Sequence, residues 1–169
     1  MTTERKISRF FNLTDSNWMK HANPWSVGTR YTVLPLIIIA FWSRIWLGWW
    51  FLIPAALSIS WIFLNPVMFC KPKSTKNWAS KAVMGERVYL NRDKVKIPPV
   101  HKTVLLPLLN IISSIGMGIA IWAIVEYSIW GAVIGTVLAY LGKSWYLDRM
   151  VWLYEDMKEN HQEYLDWEY

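Results

Sequence analysis

Four apolar runs, set in two pairs around one long polar segment, constrain this chain more than any other feature. Residues 27–42 and 47–64 form the first pair, and residues 104–125 and 129–145 form the second. Between them lies the polar connector 65–102. Hydrophobic residues make up 54% of the 169, with 13 Trp, 7 Met and 8 Tyr. A soluble core of this size cannot hide that much apolar surface. A hydrocarbon layer about 30 Å thick takes about 20 helical residues to cross. The runs therefore read as four transmembrane helices in an all-α, single-domain membrane protein, folded as two hairpins. The first run is short, but Arg30 can snorkel to the headgroups and extend it. Pro35 can bend it, which membrane helices tolerate.

Each pair turns on a small polar break. Ser43-Arg44 is surrounded by Trp42, Trp46, Trp49 and Trp50; Glu126 stands between Trp122 and Trp130. Indole rings collect at membrane–water interfaces, so both turns belong at a bilayer surface. Asn23-Pro24 opens the first pair and Asn65-Pro66 is expected to close it, because a residue before proline avoids the helical region. Thr32-Val33-Leu34-Pro35-Leu36 is echoed by Thr103-Val104-Leu105-Leu106-Pro107-Leu108, which suggests a parallel repeat of the two pairs.

Charge orients the arrangement. The net charge is +6, and 17 of the 18 Lys/Arg lie in the N-terminal segment, the connector and the stretch from Lys143 onward; the turns hold only Arg44. Cytoplasmic loops carry the Lys/Arg excess. Both termini and the connector are expected in the cytoplasm, with the chain multi-pass in the inner (plasma) membrane. The N-terminus does not resemble a secretory signal, since its first apolar run begins late and no small-residue cleavage site follows. Cys70 is the single cysteine, so no intrachain disulfide forms.

The polar segments carry their own patterns. In residues 1–25, Thr14 or Asp15 can cap a short helix through Lys20. Phe10, Phe11, Leu13, Trp18 and Trp25 would lay this segment on a membrane surface or on the protein's own inner face. In the connector, Ser74 or Thr75 can cap a helix through Trp78 and Met84 that Gly85 would end. Arg87–Leu90, Asn91–Lys94 and Val95–Pro98 then read as strand, turn, strand, a small β-hairpin. The connector's nine Lys/Arg would attract anionic lipid headgroups, at about 1 kcal/mol each near the surface. They could equally meet the acidic C-terminal segment; nucleic acid is not an expected partner. Residues 146–169 read as a cytoplasmic amphipathic helix continuing the fourth run. Leu147, Met150, Tyr154, Met157, His161 and Tyr164 recur as a heptad seam. That seam needs a partner, either the connector or a second copy of the chain.

Candidate sites are few. Arg44 and Glu126 are expected to pair and tie the hairpin tips. Gly131, Gly135 and Ala139 place a small residue every four positions, which lets another helix approach closely. Asn110 is a polar group deep in a run and is expected to hydrogen-bond between helices. His21, His101, Glu86 and Asp148 could converge at the inner face as a catalytic group. No metal-ligand spacing, phosphate loop, dinucleotide motif or nucleophile elbow occurs, so no metal or cofactor is expected.

The strings Asn23-Pro24-Trp25-Ser26, Asn65-Pro66, Asn77-Trp78-Ala79-Ser80-Lys81 and Gly85-Glu86-Arg87-Val88-Tyr89-Leu90-Asn91-Arg92 resemble a family of small, Trp-rich prokaryotic integral membrane proteins known as a domain of unknown function. The likeness covers about residues 12–150. It implies a class without an activity, and it draws attention to Asn23, Asn77, Glu86, Arg87 and Asn91 as an inner-face polar cluster. Their plainer roles are capping and loop ordering. Three functions follow as expectations: a structural or interaction protein of the membrane, a small oligomeric transporter or channel, or an enzyme acting on lipid at the inner face. The first is favoured, and catalysis is not the leading expectation.

Overall fold

A computed structural model of the chain describes residues 15–169. The expectations for Phe10, Phe11, Leu13 and a Thr14 cap lie outside those residues. The described chain is all-helical. Helix α1 spans Asp15–His21, α2 Pro24–Arg30, α3 Val33–Trp42, α4 Arg44–Leu47 and α5 Leu52–Met68. After the connector come α6 Trp78–Leu90, α7 Leu105–Glu126, α8 Ile129–Lys158 and α9 Gln162–Leu165. Two helical stretches, Pro24–Asn65 and Pro99–Glu126, are long and apolar enough to cross a membrane.

Prolines start helices here. Pro24 is the first residue of α2, and Pro35, Pro54 and Pro107 are each the third residue of theirs. A missing N–H costs little in a first turn, where that donor has no helical partner. Pro35 therefore does not bend one continuous run. The run divides into α2 and α3 at Tyr31-Thr32, and the Tyr31 carbonyl, which Pro35 cannot serve, accepts a 2.6 Å hydrogen bond from the Tyr140 hydroxyl of α8. Asn23, in extended geometry before Pro24, caps α2 by accepting from the Trp25 amide.

Asn65-Pro66 does not close the first pair as expected, since α5 runs on to Met68. Asn65 instead joins two helices. Fully buried, it accepts from the Ser26 hydroxyl at 3.2 Å and donates to the Thr29 hydroxyl at 2.7 Å. Between α4 and α5 a short 3-10 segment, Gly48–Phe51, begins at a glycine with φ +53°.

The connector departs further from expectation. Gly85 does not end α6, and there is no β-hairpin: among the described residues there is no strand. Asn77, rather than Ser74 or Thr75, caps the helix by accepting from the Ser80 amide. Arg87–Leu90 complete its last turn. Met84 and Val88, one turn apart, are buried against Met150, Leu153, Tyr154 and Met157 of α8, with Ile97 in the same cluster. Burying one helical face there outweighs the strand-like alternation of the isolated segment.

α7 and α8 pack antiparallel along most of their shared length. A Cβ on Gly116 would lie 2.3 Å from the Ala139 amide nitrogen, and one on Gly135 2.6 Å from that of Ala120. α8 continues unbroken to Lys158, about 45 Å at 1.5 Å per residue. Its heptad seam (Leu147, Met150, Tyr154, Met157) is buried, largely under the connector helix α6. The seam's last members leave the helix: His161 precedes α9, and Tyr164 is buried within α9.

Candidate functional site

The four residues proposed to converge each have their own partners. His101 Nε2 lies 2.7 Å from Asp156 Oδ2, with its ring edge-on to Trp152. Asp148 accepts from the Trp78 indole at 3.1 Å. Glu86 Oε1 accepts from the Lys143 ammonium at 2.7 Å. His21 lies against Arg30. Among the described residues no group of three or more His, Cys, Asp or Glu is placed to hold a metal.

The inner-face residues drawn from the family likeness also separate. Asn23 and Asn77 cap α2 and α6, and Asn23 Nδ2 also donates to the Cys70 carbonyl. Asn91 follows the end of α6, and the Arg87 guanidinium stacks 4.1 Å over the Trp167 ring. Gly131, Gly135 and Ala139 are buried on the α7 face of α8. Asn110 departs from its expected role. It is exposed on α7, and no hydrogen bond from its amide to another helix is seen among the described residues.

Arg44 does not pair with Glu126 among the described contacts. It reaches the C-terminal end of α7, donating to the Tyr127 hydroxyl and to the carbonyls of Ile124 at 3.4 Å and Val125 at 3.3 Å. The last carbonyls of a helix have no helical partners and form the negative end of its dipole. That end, held in place, is a better fixed acceptor than an exposed carboxylate. Arg44 still ties the first helical pair to the second.

Two groups of charges hold the polar end together. In one, Lys158 meets Glu155 at 2.7 Å and Glu168 at 2.6 Å, while Lys81 of α6 meets Glu155 at 2.5 Å. Burial opposes the Glu155 charge, yet hydrogen bonds from Lys158 and Lys81 hold its carboxyl below the usual range. Thr75 anchors the end of the chain by donating to the Trp167 carbonyl and accepting from the Tyr169 amide, both at 2.9 Å.

The second group is unusual. Arg30 of α2 donates from Nη1 to His21 Nε2 at 2.9 Å, from Nη2 to the His21 carbonyl at 3.0 Å and from Nε to the Ser26 carbonyl at 3.0 Å. Guanidinium only donates, so Nε2 accepts and the proton of neutral His21 sits on Nδ1. That Nδ1 is buried with no hydrogen-bond partner. Burial first, then the charges of Arg30 and Lys143, push the His21 pKa well below its ordinary value, so the imidazole stays neutral. Beside this group lies a cavity of about 80 Å³ lined by Val27, Arg30, Tyr31, Tyr140, Lys143 and Leu147. Sequence reasoning singled out His21 but missed Arg30 as a site residue. Its signal was a lone arginine at the start of an apolar run.

A family model described as a family of unknown function (DUF6653) matches residues 2–166. No curated protein and no solved structure matches the chain.

Proposed function

The chain belongs to the family of unknown function DUF6653, a premise that supplies a class and no activity, and we propose that it is a four-span integral protein of the inner membrane with a structural or interaction role. One observation carries this reading. The longest apolar stretches turn their side chains outward: only 11% and 22% of their most apolar windows are buried, whereas the core helix of a soluble protein is mostly buried. Large side chains such as Ile39, Leu57, Ile121 and Leu141 are exposed, and in water that surface would associate. Apart from Arg44, the hydrogen-bonded charges gather at one end, and exposed Trp46, Trp49, Trp50 and Trp130 mark the other. The Lys/Arg excess at the charged end supports placing it in the cytoplasm. There the basic connector would face anionic headgroups.

The outward amide of Asn110 would be satisfied by a second copy packed on α7. An oligomer unchanged by Asn110→Val on native mass spectrometry would remove that part of the reading. The outward position of Asn110 and the separate partners of His21, His101, Glu86 and Asp148 give no support to a transport path or a lipid-processing enzyme.

Labelling tests the topology. Cys70 is exposed in the connector, so a membrane-impermeant maleimide should reach it only from the cytosolic side. In a Cys70→Ser background, Ser43→Cys should label only from outside. Labelling of Ser43→Cys only from the cytosol refutes the orientation.

A further inference from the structure

Arg30 and Lys143 place two cations around one carboxylate. Glu86 bonds Lys143 and acts on Arg30 without a hydrogen bond to it. Among the described residues Arg30 has three hydrogen-bond acceptors, and all are neutral. A guanidinium has five N–H groups; three are used, which leaves two. Among the described residues the cluster therefore carries one surplus positive charge, held by a part-buried guanidinium. Buried charges are ordinarily paired. The cavity beside it has room for a few water molecules or one oxyanion.

A second cavity, with its own lining, lies further along the same helices. About 300 Å³ of apolar space lies between α3 and α8, lined by Pro35, Ile38, Ile39, Val133 and Val137. Along α8 this is the same face as Tyr140, Lys143 and Leu147, one to three turns away, or about 9–15 Å from Lys143. On the other side, Pro35 and Ile39 lie one turn apart on α3. α3 touches α8 at few places, so the crevice is open. The α8 face thus presents a cationic socket at Lys143 and a separate apolar groove about 9–15 Å further along, toward the tryptophan-rich end.

We propose that this crevice is a binding site for one anionic phospholipid, with the phosphate in the Arg30–Lys143 socket and an acyl chain along the Pro35–Val137 groove. The phosphate supplies the missing counter-charge and accepts the two uncommitted Arg30 N–H groups. Lys143, half-exposed and already shared with Glu86, adds charge at the socket mouth. His21 is a positioning residue: its Nε2 and carbonyl hold the guanidinium with its free edge available. The site rests on the four-span reading, which places the socket at headgroup depth, and it is distinct from the connector's diffuse basic surface.

The test uses the full chain, purified in mild detergent and stripped of lipid. Thermal unfolding and native mass spectrometry follow titration with dioleoyl phosphatidylglycerol, dioleoyl phosphatidylcholine or inorganic phosphate. One phosphatidylglycerol should bind per chain and raise the unfolding temperature, with phosphatidylcholine at least tenfold weaker and inorganic phosphate without effect. Lys143→Gln frees Glu86 to neutralise Arg30 and should weaken phosphatidylglycerol binding about tenfold. Glu86→Gln leaves two uncompensated cations and should tighten it several-fold. Val137→Trp fills the groove and should weaken binding with the charges intact. Equal response to phosphatidylcholine, full response to inorganic phosphate, or a Glu86→Gln variant that binds more weakly overturns the proposal. A chain released from membranes by alkaline carbonate refutes the four-span reading itself; one that stays embedded but shows no lipid preference refutes only this site.

Discussion

Gly85 shows how a single residue can mislead. In sequence it follows a short helical signal and precedes a basic stretch, so it reads as a stop. In the fold it lies inside α6, where an added Cβ would stand 1.9 Å from the Met150 carbonyl oxygen. The glycine permits two backbones to touch, a reason that lies 65 residues away and that no local pattern contains. Gly85→Ala should therefore lower stability by at least about 3 kcal/mol, since neither backbone can yield cheaply. Gly118→Ala, where nothing lies within 4 Å, should stay within about 1 kcal/mol of wild type. Chemical unfolding in one detergent compares the two. Asn110 misled for a related reason: polarity within an apolar run was legible, but the direction it faces was not. His21 makes a pH prediction. It is neutral when folded and faces Arg30, Lys143 and Trp18, with Glu86 acting on the two cations rather than on the ring. The unfolded chain takes up a proton near the ordinary value of 6.5, while the folded chain does not. Stability should fall as pH drops below about 6.5 and level off once the folded imidazole also protonates. His21→Gln should remove that part of the slope in unfolding temperature between pH 7.5 and 5.

At the scale of elements, long periodicities were legible and short ones were not. The seam from Leu147 to Met157 repeats through three turns, and its burial follows the period. Arg87–Leu90 and Val95–Pro98 are too short for alternation to outweigh a helix with a buried face. The β-hairpin expectation failed because Val88 has more to gain from Met150 and Leu153 than from a paired strand. The hairpin tips carry a sharper lesson. Opposite charges suggested Arg44 and Glu126, but the sequence does not display the free carbonyls at the end of α7. Arg44→Gln should cost about 1–2 kcal/mol through lost helix-end and hydroxyl contacts, while Glu126→Gln should change stability by less than about 0.5 kcal/mol. The reverse ranking in thermal unfolding would restore the ion pair.

Across the whole molecule, packing is uneven. α8 packs extensively against both α6 and α7, whereas α3 touches α7 and α8 at few places. The four apolar runs gave no hint of this, because hydropathy reports what leaves water and not which helices meet. Backbone amides of α7 and the buried half of α8 should exchange with deuterium more slowly than those of α3 and α5 in the same detergent micelle. Uniform protection across the four long helices would refute that division.

The unbroken course of α8 has a mechanical consequence. The helix is a rod with no joint between the part that packs on α7 and the part that carries the charged cap, and it contains no proline where it could hinge. Lys158 lies about 22 Å along the axis from Lys143. A change of 10° in the rod's inclination, pivoting near Lys143, therefore swings that far end by about 4 Å. α6, lashed to α8 by Lys81–Glu155 and by the contact at Gly85, has to travel with it. The cap acts as a pointer fixed to the rod, so inclination at one end is read as displacement at the other.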